Sequence, residues 1–270
     1  MKLVSIGEAT ADYYPHIDKT LVGGISLNYA VHAKRCGADK VSLVSCIGND
    51  DNGRHILDRL DQEDIDASHV TILEGKTAHC EIVVLENGER YFPPNSYHQH
   101  VLADYEPSAA DLRFISQHDI LVARYDISYT KAGFNKVMQE LDFNGKRVAD
   151  FGDWFDYDGR HPAIYPYLKQ IDLAFISGDQ TTIDTFLPIS NQAKAQIIVT
   201  LGERGSVALV DGYLIQQQAI PVSKIVDTTG CGDAFQAAFT VSYFRDGDIP
   251  AALRAGAHNA AKTLQRYGAI

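Results

Sequence analysis

Asp227-Thr228-Thr229-Gly230-Cys231-Gly232-Asp233-Ala234-Phe235 is the stretch from which the rest of the chain can be read. Two glycines stand just before a segment predicted to be helical from about 232 to 246. Glycines let several backbone N–H groups converge without a Cβ in the way. The dipole of the following helix adds partial positive charge at the same point. Such a loop can hold an anion, including the charge that develops on a phosphoryl group in transfer. A carboxylate in the first turn can face outward and take a proton from an incoming hydroxyl. Taken alone, the stretch has a second reading, in which Asp233 caps the helix and the glycines only make a tight turn.

Outward from this loop, short apolar runs alternate with amphipathic stretches. Strands are predicted at Leu3–Ile6, Val41–Ile47, Ile120–Ala123, Arg147–Phe151, Leu173–Ile176 and Ile197–Leu201. Their runs are mostly continuous, as expected when helices cover both faces of a parallel sheet. Helices are predicted at Ser26–Cys36, Asp51–Glu63, Ser108–Gln117 and Tyr129–Leu141, with Ser26, Asp51 and Ser108 as N-caps and Gly37 as a stop. A hairpin (Val207–Val210, Tyr213–Gln217) and two helices, about 232–246 and 249–266, end the chain. The alternation predicts an α/β, doubly wound, mostly parallel sheet flanked by helices. Two segments break the rhythm, at about 12–22 and 78–101. The second holds alternation in Cys80–Leu85 followed by Asn87-Gly88, a strong hairpin signal. Both are read as strands of a small β lid on a single domain spanning 1–270.

Composition narrows the function. With 270 residues and a formal net charge of −11, the chain is ill suited to non-specific binding of nucleic acid or anionic membrane. Cysteines 36, 46, 80 and 231 form no C-x-x-C pair, which points to a reduced, cytoplasmic setting. The start is too short in apolar residues for a signal peptide, and no run approaches the ~20 needed to span a bilayer. The histidines show no H-x-x-x-H spacing. His98 and His100 are either a metal pair or exposed loop residues. No G-x-G-x-x-G follows a strand, which argues against a nicotinamide enzyme.

Asp-Thr-x-Gly-x-Gly-Asp followed by Phe closely resembles the C-terminal signature of the ribokinase-like (PfkB) carbohydrate kinases. The resemblance implies that Asp233 is the catalytic base and that Gly230, Cys231 and Gly232 line the anion hole. The family usually has Ala where Cys231 stands, a change that keeps the N–H donor, and it favours Gly near Ala238. Gly23-Gly24-Ile25-Ser26-Leu27-Asn28-Tyr29-Ala30 resembles the family's Gly-Gly-x(3)-Asn-x-Ala motif, which makes Gly23, Gly24 and Asn28 sugar-binding. The acid after the first strand, which grips sugar hydroxyls in the family, is here Asp12. Thr200-Leu201-Gly202-Glu203-Arg204-Gly205 resembles the nucleotide loop, assigning Thr200, Gly202 and Gly205 to ATP. Asn259 falls where relatives contact the nucleoside; alone, it is equally a packing residue.

The resemblance covers nearly the whole chain. It implies ATP and Mg²⁺ as cofactors, and K⁺ beside Asp227 and Thr229 in those relatives that need it. It also implies a sugar as partner and a second copy paired through the lid strands. One motif departs from the family: where many relatives have Asn-x-x-Glu, this chain reads Ser177-Gly178-Asp179-Gln180-Thr181-Thr182-Ile183-Asp184. Asp12-Tyr13-Tyr14-Pro15, Ala67-Ser68-His69-Val70 and the C-terminal segment from Ala260 are most similar to the subgroup that phosphorylates fructosamines at the 6-hydroxyl. For such an acceptor, with an amine and an amino-acid tail, Arg90 and Arg124 are candidate partners of the carboxylate. Either is equally an ordinary surface arginine. Other ketoses, nucleosides or sugar phosphates stay open as acceptors, as does a sensor that binds without turnover.

Overall fold

The computed structural model describes residues 1–125, 137–138, 141–154 and 164–270. The chain begins with β1 (Lys2–Ile6), then leaves the main sheet for a hairpin of β2 (Thr10–Tyr14) and β3 (Lys19–Gly23). Helix α1 (Ile25–Arg35) returns it to β4 (Lys40–Gly48), and α2 (Asp51–Gln62) leads to β5 (Asp66–Leu73). A second excursion holds β6 (His79–Glu81), β7 (Val83–Val84), β8 (Arg90–Tyr91) and β9 (Tyr97–His98). Then come α3 (Ala109–Ile115), β10 (Ile120–Arg124), β11 (Lys146–Asp153), β12 (Leu173–Ser177), α4 (Gln180–Ser190) and β13 (Gln196–Thr200). The hairpin β14 (Ser206–Val210) and β15 (Tyr213–Gln217) precedes α5 (Cys231–Asp246) and α6 (Ile249–Thr263).

Nine strands form one sheet in the order β15-β14-β13-β12-β11-β10-β1-β4-β5. All pairs from β13 to β5 are parallel, and only β14 and β15 run antiparallel. After β1 the chain winds outward through β4 and β5, then crosses to β10 on the other side. The carboxyl ends of β1 and β10 therefore flank a topological switch point, where such sheets open a crevice for ligands.

Successive strand residues alternate between two cores. Ala174 and Ile176 of β12 join Ile183 and Phe186 of α4 on one face. Leu173 and Phe175 join Leu27 of α1 and Phe239 of α5 on the other. Phe175 meets Phe235 and Phe239 edge-on at 6.5 and 5.5 Å between ring centres. Covered on both faces, these strands need apolar residues at every position, hence their continuous runs. No helix among the described residues is long and apolar enough to cross a membrane.

The two excursions form a four-stranded sheet, β3-β2-β6-β9, and a two-stranded ribbon, β7-β8. The run Cys80–Leu85 is not one strand. It breaks at buried Ile82, whose N–H donates to Tyr13 O at 2.8 Å, and β7 then turns through Asn87-Gly88 to pair with β8.

Several expectations are corrected. Strand β5 carries no continuous apolar run, because it is the edge of the sheet: Ile72 is 56% exposed. The N-cap of α1 is Gly24, not Ser26, whose hydroxyl instead donates to Ile6 O at 2.8 Å. The N-cap of α2 is Asp50, whose carboxylate accepts from Gly53 N–H, rather than Asp51. Ser108 does cap α3, in a reciprocal box with Asp111. Of the helix predicted at Tyr129–Leu141, Val137 and Met138 are helical, and most of the rest lies outside the described residues.

Candidate active site

The quoted loop sits at the N-terminus of α5. Gly230 is the N-cap, at φ +72°, and a Cβ there would stand 2.2 Å from Ala269 Cβ. Both the backbone conformation and the closeness of the C-terminal segment require glycine. The Cys231 N–H turns back to Thr228 O at 3.3 Å, and Ala234 N–H donates to Gly230 O at 2.9 Å. Gly232 and Asp233 lie between them in the first turn, where N–H groups have no intrahelical acceptor. A Cβ on Gly232 would meet no atom within 4 Å, so the approach to this turn is open.

Asp233 is buried, and its Oδ2 accepts from Asn28 Nδ2 at 2.8 Å. Asn28 is in the first turns of α1, so the bond joins two helices that both start at the crevice. Burial pushes the Asp233 carboxyl up to about 7, against the opposing pull of the Asn28 bond. Asp150 of β11 pushes it further, and the guanidinium groups of Arg90 and Arg124 draw it back.

A second buried acid, Asp12, lies on β2 and accepts from Thr10 Oγ1 at 2.8 Å. Burial pushes it to about 7 against that bond, with Glu8 and Asp227 adding to the rise. The paired glycines have steric reasons. A Cβ on Gly23 would fall 1.9 Å from Asp12 Oδ2, and one on Gly24, at φ +99°, would press within 2.8 Å of Glu8 O. Glu8 and Tyr97 escaped the reading of the sequence. Tyr97 of β9 donates its hydroxyl to Glu8 Oε1 at 3.1 Å, tying the lid to the turn after β1. Their only signal was position: Glu8 just past a strand end and Tyr97 within a lid segment.

Arg124 ends β10 and lies against Gly152, where a Cβ would stand 3.0 Å from its Nη2. Arg90 comes from the lid ribbon, which grips Thr228 through four hydrogen bonds. Thr228 N–H donates to Gly88 O (3.0 Å) and its hydroxyl to Glu89 Oε2 (3.3 Å). Arg90 N–H donates to Thr228 Oγ1 (3.0 Å), and its guanidinium Nη1 to Thr228 O (3.3 Å). Asn28, Arg90 and Arg124 thus converge on Asp233 in the first turn of α5, and Asp12 lies near Asp227 of the same loop.

The remaining candidates stand elsewhere. Thr200 ends β13, and the following loop closes through Leu201 N–H to Gly205 O at 2.8 Å. Gly202 (φ +59°) faces open space, whereas a Cβ on Gly205 (φ +91°) would come within 2.1 Å of Gln217 O. Asn259 packs α6: its Nδ2 donates to Ala234 O at 2.8 Å and to His32 Nδ1 at 3.1 Å. His32 donates through Nε2 to Ala269 O at 2.9 Å and is lowered to about 4 by burial. No hydrogen bond among the described residues links the Thr200 loop or Asn259 directly to Asp233.

The sequence pattern of the pfkB family carbohydrate kinases matches residues 2–270. The chain belongs to that family. Fructoselysine 6-kinase of Escherichia coli is 32% identical over 271 residues, 99% of this chain and 98% of that one. A fructosamine kinase of Bacillus subtilis is 29% identical over 281 residues, 100% and 93% of the two chains. The structure of Arabidopsis thaliana ribokinase, solved with ribose and ATP, superposes with a TM-score of 0.78 at 21% identity, covering 99% and 93%. This pfkB kinase is therefore a sugar kinase, a phosphotransferase on a ribokinase-like fold.

Two cation sites implied for pfkB kinases fare differently. Near Asp227, the fit is good. Its carboxylate accepts from Thr229 N–H (2.8 Å) and Gly268 N–H (2.9 Å), and it is fully buried. Beside it lie the buried hydroxyls Thr229 Oγ1 and Tyr14 Oη, the latter facing both Thr229 and Asp227. In the 177–184 stretch the acids are occupied. Asp179 Oδ1 accepts from Thr181 and Thr182 N–H as the cap of α4, and Asp184 Oδ1 accepts from Gln180. No trio of His, Cys, Asp or Glu among the described residues is arranged to hold a metal ion. That includes His98 and His100, which stack with His79. The pfkB kinase offers no protein cage for magnesium there.

Proposed function

We propose that this pfkB kinase transfers the γ-phosphoryl group of ATP to the 6-hydroxyl of a fructosamine such as fructoselysine. The observation that carries the acceptor is the 32% identity to fructoselysine 6-kinase across 99% of the chain. The chemistry is supported by Asp233, a buried carboxylate near 7 at the mouth of an N–H-rich turn. Asn28 holds Oδ2, which leaves Oδ1 to take the hydroxyl proton. The oxygen then attacks phosphorus while the Gly232 and Asp233 N–H groups and the α5 dipole face the developing charge. Asp12, held by Thr10, binds sugar hydroxyls, and Glu8 beside it supplies a second acid toward the substrate amine. The Thr200–Gly205 loop, at a strand's carboxyl end, receives the nucleotide. A potassium ion would be held by Asp227 and Thr229, adding fixed positive charge beneath the loop. No step is assigned to magnesium.

The test is ADP release with MgATP and a panel of fructoselysine, other fructosamines, fructose, ribose, adenosine and fructose 1-phosphate, with the product's phosphate located by NMR. Highest turnover on fructosamines, with phosphate on C6, is expected. Highest turnover on another acceptor would discard the substrate and keep the chemistry. Sugar and ATP binding without turnover on any would mark a sensor.

A further inference from the structure

We propose that His32 is a positioning residue for phosphoryl transfer: its neutral imidazole braces the 266–270 segment against the anion-binding turn of α5 and keeps that turn in register. The proposal rests on phosphoryl transfer at Asp233 and is independent of which sugar accepts.

His32 lies one helical turn beyond Asn28 on α1, so both side chains leave the same face. Asn28 bonds to the Asp233 carboxylate. His32 is buried and meets two other partners. Asn259 Nδ2 carries two hydrogens, one directed to Ala234 O and one to His32 Nδ1. Nδ1 therefore accepts, and the ring proton sits on Nε2, which donates to the Ala269 carbonyl. An amide donor on one side and a carbonyl on the other assign the neutral Nε2–H tautomer. Burial lowers the imidazole to about 4 against the Ala269 bond and Glu63, with Arg266 and Arg35 adding to the fall. The ring thus acts as a fixed strut and exchanges no proton with substrate.

Its far end bears on the loop that holds Asp233. A Cβ on Gly230 would stand 2.2 Å from Ala269 Cβ, so the segment is packed directly against the N-cap of α5. The neighbouring Gly268 N–H donates to Asp227 Oδ2 at 2.9 Å, and Asp227 Oδ1 accepts from Thr229 N–H at 2.8 Å. The Ala269 carbonyl also accepts from Arg266 Nη2 at 2.8 Å. Arg266 belongs to the segment itself and moves with it, whereas His32 ties the segment to α1. The same α1 face therefore holds Asp233 directly through Asn28 and backs its turn through His32. The Gly232 and Asp233 N–H groups meet charge only as it develops on the phosphoryl group. Their placement accordingly bears on kcat more than on KM.

The experiment compares His32→Gln, His32→Asn and His32→Leu with wild type on the acceptor of highest turnover. Gln keeps an amide donor about as far from the backbone as Nε2, whereas Asn is too short and Leu has no donor. His32→Asn and His32→Leu should lower kcat by about 10- to 100-fold, as expected of a buried hydrogen bond left unmade. Acceptor and ATP KM should stay within about threefold. His32→Gln should stay within about threefold of wild type in all three constants. Ile171→Ala serves as the stability control, since Ile171 is fully buried just before β12, at the end of the sheet away from the crevice. It should lower Tm and leave kcat unchanged. Equal kcat in the Gln, Asn and Leu variants would overturn the proposal. So would a kcat that follows Tm across all variants, Ile171→Ala included, or a loss confined to ATP KM. Independently of any sugar, ADP with aluminium fluoride, a mimic of the planar phosphoryl group, should bind wild type and His32→Gln more tightly than ADP alone. His32→Leu should lose most of that difference while binding ADP normally. Retention of the difference in His32→Leu would contradict the proposal even if the acceptor were misassigned. No difference in wild type would remove phosphoryl transfer at this turn, and the proposal with it.

Discussion

Asp233 and Asp12 are both carboxylates near 7, held there chiefly by burial. For catalysis the base must be ionised, so kcat/KM should rise with pH up to about 7 and level off above it. Because Asp12 titrates in the same range, the rising limb should be steeper than one proton; in Asp12→Asn it should fall to one. A pH–rate profile of both proteins checks this. The same shift has a stability consequence. The folded-state value of Asp233 lies above its ordinary 3.8. Its contribution is therefore full below pH 3.8 and is lost as pH rises through about 7, a burden on the order of 4 kcal/mol at alkaline pH. Asp233→Asn should raise Tm at pH 8 while abolishing turnover, and the gain should vanish near pH 4. A Tm for Asp233→Asn below wild type at pH 8 would deny that a buried carboxylate is charged there. The assignment of Asp233 as the proposed base came from Asp227–Phe235. The titration of Asp233 was not legible there, because that depends on Asp150, Arg90 and Arg124, which the fold brings from distant parts of the chain.

At the scale of elements, the glycine pair at the start of α1 decides how tightly β2 and the helix enclose Asp12. Gly23→Ala would drive a Cβ into Asp12 Oδ2. Sugar KM should rise about ten- to a hundredfold, as expected when a hydrogen bond to a charged group is lost, with ATP KM unchanged. Gly230→Ala meets both a left-handed backbone and Ala269. It should cost about 1–3 kcal/mol for the backbone alone, lower Tm and reduce kcat. Calorimetry and steady-state kinetics separate the two effects. Both glycine motifs were visible in the sequence, but their partners were not: Asp12 is eleven positions from Gly23, and Ala269 is far downstream of Gly230. The same holds for caps. Asp50 and Asp51 are equally good cap residues in isolation, and the fold chose Asp50 because Thr77 also donates to it, from its N–H at 3.1 Å and its hydroxyl at 2.5 Å.

For the whole molecule, the winding of the sheet was legible wherever both faces are covered, as in Leu173–Ile176. It failed at the edge, where β5 needs only one apolar face. Site residues at the switch point were legible as motifs. Glu8 and Tyr97 were not, since contact between the lid and the turn after β1 leaves no local pattern. The fully buried Phe239 holds α5, and with it Asp233, against β12. Phe239→Ala should cost about 3–5 kcal/mol, seen as a large drop in Tm. Below the new Tm the pH–rate profile should keep its shape, because no titrating group is altered.

The most direct test of the account is ADP release by purified protein with MgATP and fructoselysine, run beside Asp233→Asn. The account predicts turnover that the substitution lowers by at least about 100-fold, with nucleotide binding intact. Turnover that survives the loss of the carboxylate would contradict Asp233 as the base. Its absence on fructoselysine, with strong turnover on another sugar, would contradict the acceptor.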